Sequence, residues 1–410
     1  MKLWIFPLLA TLAAPAVLAA PQAGRVWAGF RGDGTSRTTA RALPLHWSET
    51  ENLAWQVELP GTGQSSPVIW QDRIFVTAIA GEMQDRLLAR CVSLSTGKTL
   101  WDREFKGSQG VKTSDYVAKA APTPVVDGDR VYLFFETGDL IALTHDGAPV
   151  WQRSLVKEYG PIKSNHGLGS SPILSKAGLL LFVTHDGGAY LLNIDPKTGQ
   201  NRWKRDHPFG AGWATPQVAE SGGRSLVLVT SSGRVDALDL TTGAPVWNLT
   251  GLKGNTVPSP SVSGDLAVIG SSEPGSTLAV RLGGMGDVTL DSVVWRQPEV
   301  NCSFGSPLVH DGFVYFSNKA GVAYCLDLAT GKVVWDTRLT ASSWASPMAA
   351  GDRVYFFDTK GGALVVKVGP KLEKLAENRL PVEGRVYGMA AVDGAIVFRT
   401  ENRLIRIGKP

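Results

Sequence analysis

The sequence predicts an all-β fold, an eight-bladed β-propeller built from four-stranded antiparallel blades. Three observations along the 410-residue chain support this prediction. A small residue followed by proline recurs, a Gly/Asp turn and a β-branched run follow each copy, and a Thr-Gly turn with a Trp usually ends the unit. Repetition at this period is typical of rings of similar sheets, because one such unit cannot bury its apolar faces alone.

Each repeat begins with its innermost strand. A short apolar run such as Val68-Ile69 or Leu308-Val309 follows the proline, and a turn such as Asp127-Gly128 then reverses the chain. These runs predict short strands bounded by turns. A degenerate eighth copy has Gly388-Met389 in place of the dipeptide. The other seven copies are marked by Pro67, Pro124, Pro172, Pro216, Pro260, Pro307 and Pro347.

The remaining strands lead to the Trp that ends the unit. A second strand leaves the turn, as at Arg130–Phe135, and a third runs into a phrase seen best from Cys325 to Trp335. Gly331 in that phrase suits a tight hairpin because glycine accepts positive φ, and Asp327 can bind local backbone amides. We expect the terminal rings to cover the gaps between adjacent sheets. They are Trp55, Trp101, Trp151, Trp203, Trp247, Trp295 and Trp335.

The ends of the repeat region predict how the ring closes. The last unit, Val386 to Ile407, has room for three strands, whereas Leu53 to Leu59 resembles an outer strand with nothing before it. Pairing the two would remove two exposed sheet edges and place Val57 beside Leu404. Trp55 would then complete the last blade. The alternative is a seven-bladed ring with a loose C-terminus, which leaves the first segment unexplained.

Composition indicates one turn-rich β domain. Hydrophobic residues make up 43% of the chain and charged residues 19%, with 46 glycines and 24 prolines, which argues against disorder. The formal net charge of +4 is small and its Lys and Arg are scattered, so no nucleic-acid partner is predicted. We predict a propeller over residues 53–410, preceded by an arm over 20–52 that packs on it, either as a cover across one face or edge or as a partner-docking segment.

The N-terminus predicts export. Lys2 precedes an apolar stretch from Leu3 to Leu18, and small residues follow, so we expect residues 1–19 to form a signal peptide cleaved after Ala19. The stretch is too short to span a bilayer, and no Cys near the cleavage site offers lipid attachment. The predicted mature chain is periplasmic or secreted, without a transmembrane segment, and monomeric.

Motifs of common enzyme classes are absent from the sequence. Cys91, Cys302 and Cys325 do not form a disulfide framework and are expected to be small buried side chains. His145 and His185 lie in Thr-His-Asp-Gly turns, and no pair of His or Cys has zinc spacing. No nucleophile elbow, phosphate-binding loop or dinucleotide fingerprint occurs either. We therefore assign no catalytic residue and no metal ligand.

The candidate binding site is the central funnel. In a propeller, the residues just before each innermost strand form a ring around the channel, and here they are aromatic, amide and cationic, with no Asp or Glu among them. Such a set could hold a planar or anionic ligand, or it could simply plug and hydrate the mouth. Its members are Gln64, Lys119, Asn165, His166, Trp213, Asn255, Asn301, Phe304, Trp344, Arg385 and Tyr387.

The phrase from Ala237 to Trp247 and its copies resembles the pyrroloquinoline-quinone-like (PQQ-like) repeat family, whose blades carry an Ala-x-Asp-x-x-x-Gly-x-x-x-Trp docking motif. The resemblance covers nearly all of Trp55 to Ile407 and implies an eight-bladed propeller. The family includes quinone-dependent alcohol dehydrogenases and non-catalytic relatives such as the outer-membrane assembly factor BamB. Fold alone does not separate these roles.

The dehydrogenase branch implies an adjacent Cys-Cys pair, calcium ligands and a catalytic Asp, and this sequence has no adjacent cysteines. The BamB-like branch therefore fits better, although its lipid-attachment Cys is missing. We expect no cofactor and a scaffold that binds a protein partner in the cell envelope. The alternatives are a PQQ-dependent oxidoreductase using calcium, and a propeller that binds a small ligand or glycan in its funnel.

Overall fold

Eight antiparallel sheets arranged as blades form a closed ring. A computed structural model describes residues 24–112, 114, 117–207 and 212–409. The innermost strand of blade 8 contacts that of blade 1, which closes the circle. The predicted eight-bladed propeller is confirmed, and the seven-bladed alternative is wrong. The predicted signal peptide, residues 1–19, lies outside the described residues.

Each blade is a meander that runs from the channel outward. The inner strands of blades 1 to 8 are Val68–Trp70, Val125–Val126, Ile173–Ser175, Gln217–Ser221, Ser261–Ser263, Leu308–His310, Met348–Ala350 and Gly388–Val392. The second strands are Arg73–Ala80, Arg130–Phe134, Gly178–His185, Arg224–Ser231, Leu266–Ile269, Phe313–Ser317, Arg353–Phe357 and Ala395–Arg399. The third strands are Arg86–Ser93, Asp139–Thr144, Gly188–Ile194, Arg234–Asp239, Thr277–Arg281, Val322–Asp327, Gly362–Lys367 and Arg403–Ile407. The outer strands are Thr99–Lys106, Pro149–Ser154, Asn201–His207, Pro245–Thr250, Val293–Gln297, Val333–Arg338, Lys374–Arg379 and, for blade 8, Leu53–Glu58.

The strand that completes blade 8 comes from the N-terminal side of the repeats. Leu53–Glu58 pairs antiparallel with Arg403–Ile407, and Val57 lies opposite Leu404. Trp55 lies opposite Arg406 in the same ladder. The predicted closure is therefore confirmed, and the pairing removes the open sheet edge that each of the two segments would otherwise expose.

Three blades have a fifth strand that the four-stranded prediction did not include. Val26–Trp27 adds to blade 1, Arg37–Thr38 to blade 7 and Gly286–Asp287 to blade 4. The last of these lies in a long loop that replaces the tight hairpin before the outer strand of blade 5. A single short helix, Leu155–Tyr159, occurs in the described part of the chain, and no helix there could cross a membrane.

The hydrophobic core is divided among the seams between neighbouring sheets. Phe75 of blade 1 and Leu133 of blade 2, for example, are buried in one cluster. The seams that flank blade 8 join into one larger cluster, which also takes in Leu43 and Trp47 of the arm. Trp47 stacks on Phe357 with ring centroids 6.3 Å apart, so the arm contributes to the core on either side of the closing blade.

The predicted seam tryptophans lie between adjacent blades. The indole N–H of Trp101 donates to the His145 carbonyl of blade 2 at 2.8 Å. The corresponding groups of Trp55, Trp151, Trp247, Trp295 and Trp335 also donate to carbonyls of the following blade. Trp203 packs its ring against Gly243 of blade 4, but its buried N–H has no partner among the described residues.

The arm enters the central channel and returns. The Gly24 carbonyl accepts a hydrogen bond from the Asp393 amide, in the turn after the inner strand of blade 8. The chain then runs beside the inner strand of blade 1, and the Ala28 carbonyl accepts from Val126 of blade 2 at 2.8 Å. After passing blade 7 it returns to the same turn, where the Arg41 carbonyl accepts from Gly394 at 2.8 Å.

This hairpin-like path closes one end of the channel. The turns after the inner strands lie on one face of the ring, here named the turn face, and both ends of the path contact that face. The loops that lead into the inner strands lie on the opposite face, here named the mouth face. The channel is therefore open toward the mouth face and filled by the arm below it. The boundary between arm and propeller at residue 52 stays a prediction, because the arm also extends two of the sheets.

Candidate functional site

A cavity of about 980 Å³ lies on the ring axis and opens on the mouth face. Its walls are the loops that lead into the inner strands, together with turns between second and third strands. Trp27, Phe30, Arg31 and Ser36 of the arm also line it and lie on its channel side. The cavity is therefore a cup with a floor rather than a pore.

Most of the predicted funnel residues line this cup. Asn301 is turned into the wall, where its amide donates to the Ser272 carbonyl at 2.7 Å. Asn165 is exposed and does not line the cup. A binding role for the others stays a prediction. The residues that do line the cup are Gln64, Lys119, His166, Trp213, Asn255, Phe304, Trp344, Arg385 and Tyr387.

Hydroxyl groups join the blades in a belt around the axis, a feature not predicted from the sequence. The Ser66 amide donates to the Thr123 hydroxyl of the next blade at 2.9 Å, and the Thr123 amide donates to the Ser171 hydroxyl at 2.9 Å. The same bond recurs from Ser171 through blades 4, 5, 6 and 7. The small residue before each proline therefore links one blade to its neighbour.

The belt is interrupted at the eighth repeat. Gly388 occupies the belt position there, and a Cβ built on it would lie 2.0 Å from the Ser66 hydroxyl oxygen. A serine or threonine at this position would clash with blade 1. The degenerate eighth copy is therefore explained by crowding where blade 8 meets blade 1.

Stacked aromatic side chains form one side of the cup. Phe304 stacks on Trp344 with centroids 4.4 Å apart, and the Arg385 guanidinium lies 4.8 Å from the centroid of the same indole. Tyr387 meets Trp344 edge-on. Trp344 is therefore already packed by the protein, and Arg385 is held by a cation–π contact rather than left mobile.

A carboxylate also lines the cup, although none occurs among the residues predicted for the funnel. Glu401, from the turn between the second and third strands of blade 8, accepts a hydrogen bond from the Tyr387 hydroxyl at 3.0 Å. Gln64 donates to the same hydroxyl at 3.3 Å. Burial raises the pKa of Tyr387 to about 12, so the phenol is neutral at physiological pH. Glu401 lies outside the loops before the inner strands, from which the funnel residues were predicted.

A second acidic group lies behind the wall. Glu136 is buried in the equivalent turn of blade 2, and one of its carboxyl oxygens accepts from the amide of Ala121, a residue of the cup wall, at 2.8 Å. Its other oxygen has no partner among the described residues. Burial raises the pKa of Glu136 to about 7, which makes this carboxyl sensitive to pH near neutrality.

The cup does not fit a calcium–quinone pair. Calcium takes six to eight oxygen ligands, commonly from several carboxylates. Among the described lining residues Glu401 is the one carboxylate, and it is already bound to Tyr387. No group of three or more His, Cys, Asp or Glu side chains in the described ranges has metal-binding geometry. Cys91, Cys302 and Cys325 are buried in separate places and unpaired.

Solved structures share the fold. BamB from Moraxella catarrhalis superposes with a TM-score of 0.62 at 15% identity, covering 87% of this chain and 99% of that one. A europium-containing methanol dehydrogenase superposes with a TM-score of 0.69 at 11% identity, covering 92% and 90%. At these identities the superpositions show the fold alone.

Comparisons of sequence, unlike these superpositions, identify the family of the chain. The outer membrane protein assembly factor BamB of Shewanella oneidensis is 22% identical over 284 residues, which cover 67% of this chain and 63% of that protein. The chain spans less than two thirds of the length of the curated relatives reported for it. The sequence profile of the outer membrane protein assembly factor BamB family matches residues 2–161 and 145–400. The chain therefore belongs to the BamB family of PQQ-like propellers.

Proposed function

We propose that this protein is exported to the cell envelope and acts there as a non-catalytic scaffold that holds a protein partner during outer membrane protein assembly. Family membership supports a role in outer membrane protein assembly, since the relatives are named as outer membrane protein assembly factors. The observation that carries the proposal is the cup, because it is closed toward the turn face and bordered by loops of many blades on the mouth face. This arrangement offers a large recognition surface at one end of the ring.

Site-specific photo-crosslinking in the native envelope tests the scaffold. A photo-reactive residue at Asn255 or Lys319, on the mouth face, should crosslink to a component of the outer membrane assembly machinery. The same residue at Lys197 or Lys332, exposed on the turn face, is the matched control. Equal crosslinking from both faces, or no crosslink from the mouth face, would contradict the proposal.

Export is the second part of the proposal. The expected mature protein begins at Ala20, is recovered from the periplasm or medium, and elutes as a monomer in size-exclusion chromatography. N-terminal sequencing of the fractionated protein measures the first of these directly. Retention of residues 1–19 in the mature protein would contradict the cleaved signal peptide.

A small-ligand function is the alternative, favoured by the stacked aromatic and cationic side chains of the cup. Under this alternative the protein binds a small ligand such as a glycan in the cup, whereas oxidation of an alcohol with PQQ is disfavoured by the single carboxylate among the described lining residues. Dye-reduction assays with PQQ, calcium and a panel of alcohols and sugars would detect that oxidation. Activity that falls on substitution of Trp213 or Lys119 would overturn the scaffold proposal.

A further inference from the structure

The cup concentrates positive charge from distant parts of the fold. Arg31 comes from the arm, Lys119 precedes blade 2, Lys319 follows the second strand of blade 6 and Arg385 precedes blade 8. Against these four cations the described lining has one carboxylate, Glu401. The whole chain carries a formal net charge of only +4, so the cup holds a large share of the excess of cationic over anionic side chains. A concave site lined by one sign of charge attracts ligands of the other sign.

These cations are not neutralised within the described structure. Arg31 is 4% exposed, and the acceptors of its hydrogen bonds are two serine hydroxyls and two prolyl carbonyls, all uncharged. Glu401 is bound to Tyr387 rather than to a cation. No carboxylate in the described part of the chain forms an ion pair with Lys119, Lys319 or Arg385 within 4.0 Å. The field of the cup is therefore available to a ligand.

The positions of the cations indicate a ligand with several negative charges rather than a single anion. Blades 2 and 6 are four steps apart in a ring of eight, so Lys119 and Lys319 come from opposite sides of the cup. Arg385, at blade 8, lies between them around the rim, and Arg31 lies at the floor. One carboxylate cannot reach all of these groups, whereas an extended chain with several carboxylates can. At about 980 Å³ the cup is at the upper end of the range for small-molecule pockets.

We propose that the cup receives an extended segment of the partner protein that carries two or more Asp or Glu side chains. The stack of Phe304, Trp344 and Arg385 presents a fixed guanidinium to that segment, which reduces the side-chain entropy lost on binding. This inference deepens the scaffold function proposed above and rests on it, since it names the chemistry of the partner.

Binding of a defined acidic peptide to the full chain tests the inference. The probe is hexaglutamate with blocked ends, with blocked hexaglutamine and citrate as comparisons, titrated by calorimetry in 50 mM and 300 mM NaCl. We expect hexaglutamate to bind, hexaglutamine not to bind, and the affinity to fall at least severalfold at the higher salt concentration, because the contacts are electrostatic. Binding of hexaglutamine as strong as that of hexaglutamate would overturn the inference.

A matched pair of charge variants locates the site. K119Q/K319Q/R385Q removes three charges at the cup, and K98Q/K197Q/K332Q removes three exposed charges on the turn face. The first should weaken hexaglutamate binding tenfold or more, and the second less than twofold. Equal effects of both variants, or absence of binding to the wild type, would overturn the inference. Citrate binding as strong as that of hexaglutamate would also overturn it, by showing that a small polycarboxylate suffices.

The two proposals fail in different ways. If the cup variant keeps the mouth-face crosslink at full yield and hexaglutamate does not bind, the scaffold stands and the acidic segment is wrong. If the wild-type protein gives no mouth-face crosslink, the scaffold is wrong, and the peptide titration judges the cup separately. Circular dichroism and melting of both variants confirm that they are folded before either result is interpreted.

Discussion

Arg31 shows how one side chain can fix a segment inside a ring. Its guanidinium donates to the carbonyls of Pro260 and Pro307, the prolines that follow the belt residues of blades 5 and 6. It also donates to the hydroxyls of Ser36 and Ser261. Its backbone has φ of 59°, in the left-handed region that residues other than glycine rarely adopt. Burial lowers the pKa of Arg31 to about 10, so it stays charged at neutral pH. These side-chain bonds hold the arm in the channel despite the strained backbone.

Replacing Arg31 should therefore destabilise the whole protein. We expect R31A to lower the free energy of unfolding by about 2–4 kcal/mol, because buried carbonyls lose their donors. R31K should recover part of this loss, since an ammonium can satisfy some of the acceptors but lacks the planar fork. Urea unfolding followed by tryptophan fluorescence measures both, with the exposed Arg37→Ala as control. An R31A effect no larger than that of R37A would contradict the anchoring role.

Glu136 predicts a pH dependence of stability. Its pKa is about 7 in the folded protein against an ordinary 4.5, so the folded state holds a proton that the unfolded chain has already released between these values. The contribution of Glu136 to stability should therefore fall as pH rises through this window. E136Q keeps an acceptor for the Ala121 amide and cannot ionise.

The measurement compares unfolding free energies at pH 5 and pH 8. Relative to E136Q, the wild type should lose about 1–3 kcal/mol between the two pH values. The exposed Glu49→Gln should follow the wild type at both. Parallel pH profiles for wild type and E136Q would show that the carboxyl is not buried as described.

At the scale of the element, the seam between blades depends on a ring from one blade and a turn from the next. Trp295 of blade 5 covers Gly331, where a Cβ would lie 2.4 Å from the indole. The glycine is therefore required for its positive φ of 69° and also for the close approach of the ring. In blades 1 to 3, the arginine two residues after the seam Trp also donates a hydrogen bond to the next blade. The acceptor is the carbonyl of the turn glycine that the Trp covers.

Two glycines with similar backbones separate these effects. G331A should cost the strain of positive φ and also displace Trp295, for a loss of about 2–4 kcal/mol. G312A has φ of 79° and nothing within 4 Å of the added Cβ, so it should cost only the conformational term of about 1 kcal/mol. Thermal melting compares the two. Equal losses would show that the turn glycines serve the hairpin alone.

The sequence predicted those features that repeat. The blade count and the inner and second strands follow from local patterns that recur along the chain, and the pairing of Val57 with Leu404 follows from the incomplete units at the two ends of the repeat region. Features made by contacts between unrelated segments did not follow. The path of the arm depends on Arg31 meeting blades 5 and 6, and Glu401 reaches the cup from a turn that carries no repeated signal. The residues of the hydroxyl belt were visible in the sequence as a repeated small residue before proline. The hydrogen bond from each of them to the next blade was not visible.

At the scale of the whole molecule, the arm and the closing strand make separable contributions. A chain beginning at Asn52 lacks the channel plug but keeps Leu53–Glu58, whereas one beginning at Pro60 lacks both. The first should remain β-rich and monomeric with a lower melting temperature, because Trp27, Leu43 and Trp47 leave the core. The second should aggregate, because blade 8 then exposes the edge of Arg403–Ile407.

Size-exclusion chromatography and circular dichroism of the two shortened chains distinguish these outcomes. A monomeric, cooperatively melting chain that begins at Pro60 would show that ring closure by the N-terminal strand is dispensable. Aggregation of the chain that begins at Asn52 would instead show that the plug is needed to keep the ring intact.

Blade 8 also imposes an order on biosynthesis. Its outer strand leaves the ribosome before any other blade, and its three remaining strands leave last. Leu53–Glu58 must therefore wait, unpaired, while seven complete sheets are made, and translocation across a membrane would present the same sequence of events. We expect protease to cleave this segment in nascent chains of every length until Ile407 has emerged, and to spare it afterwards.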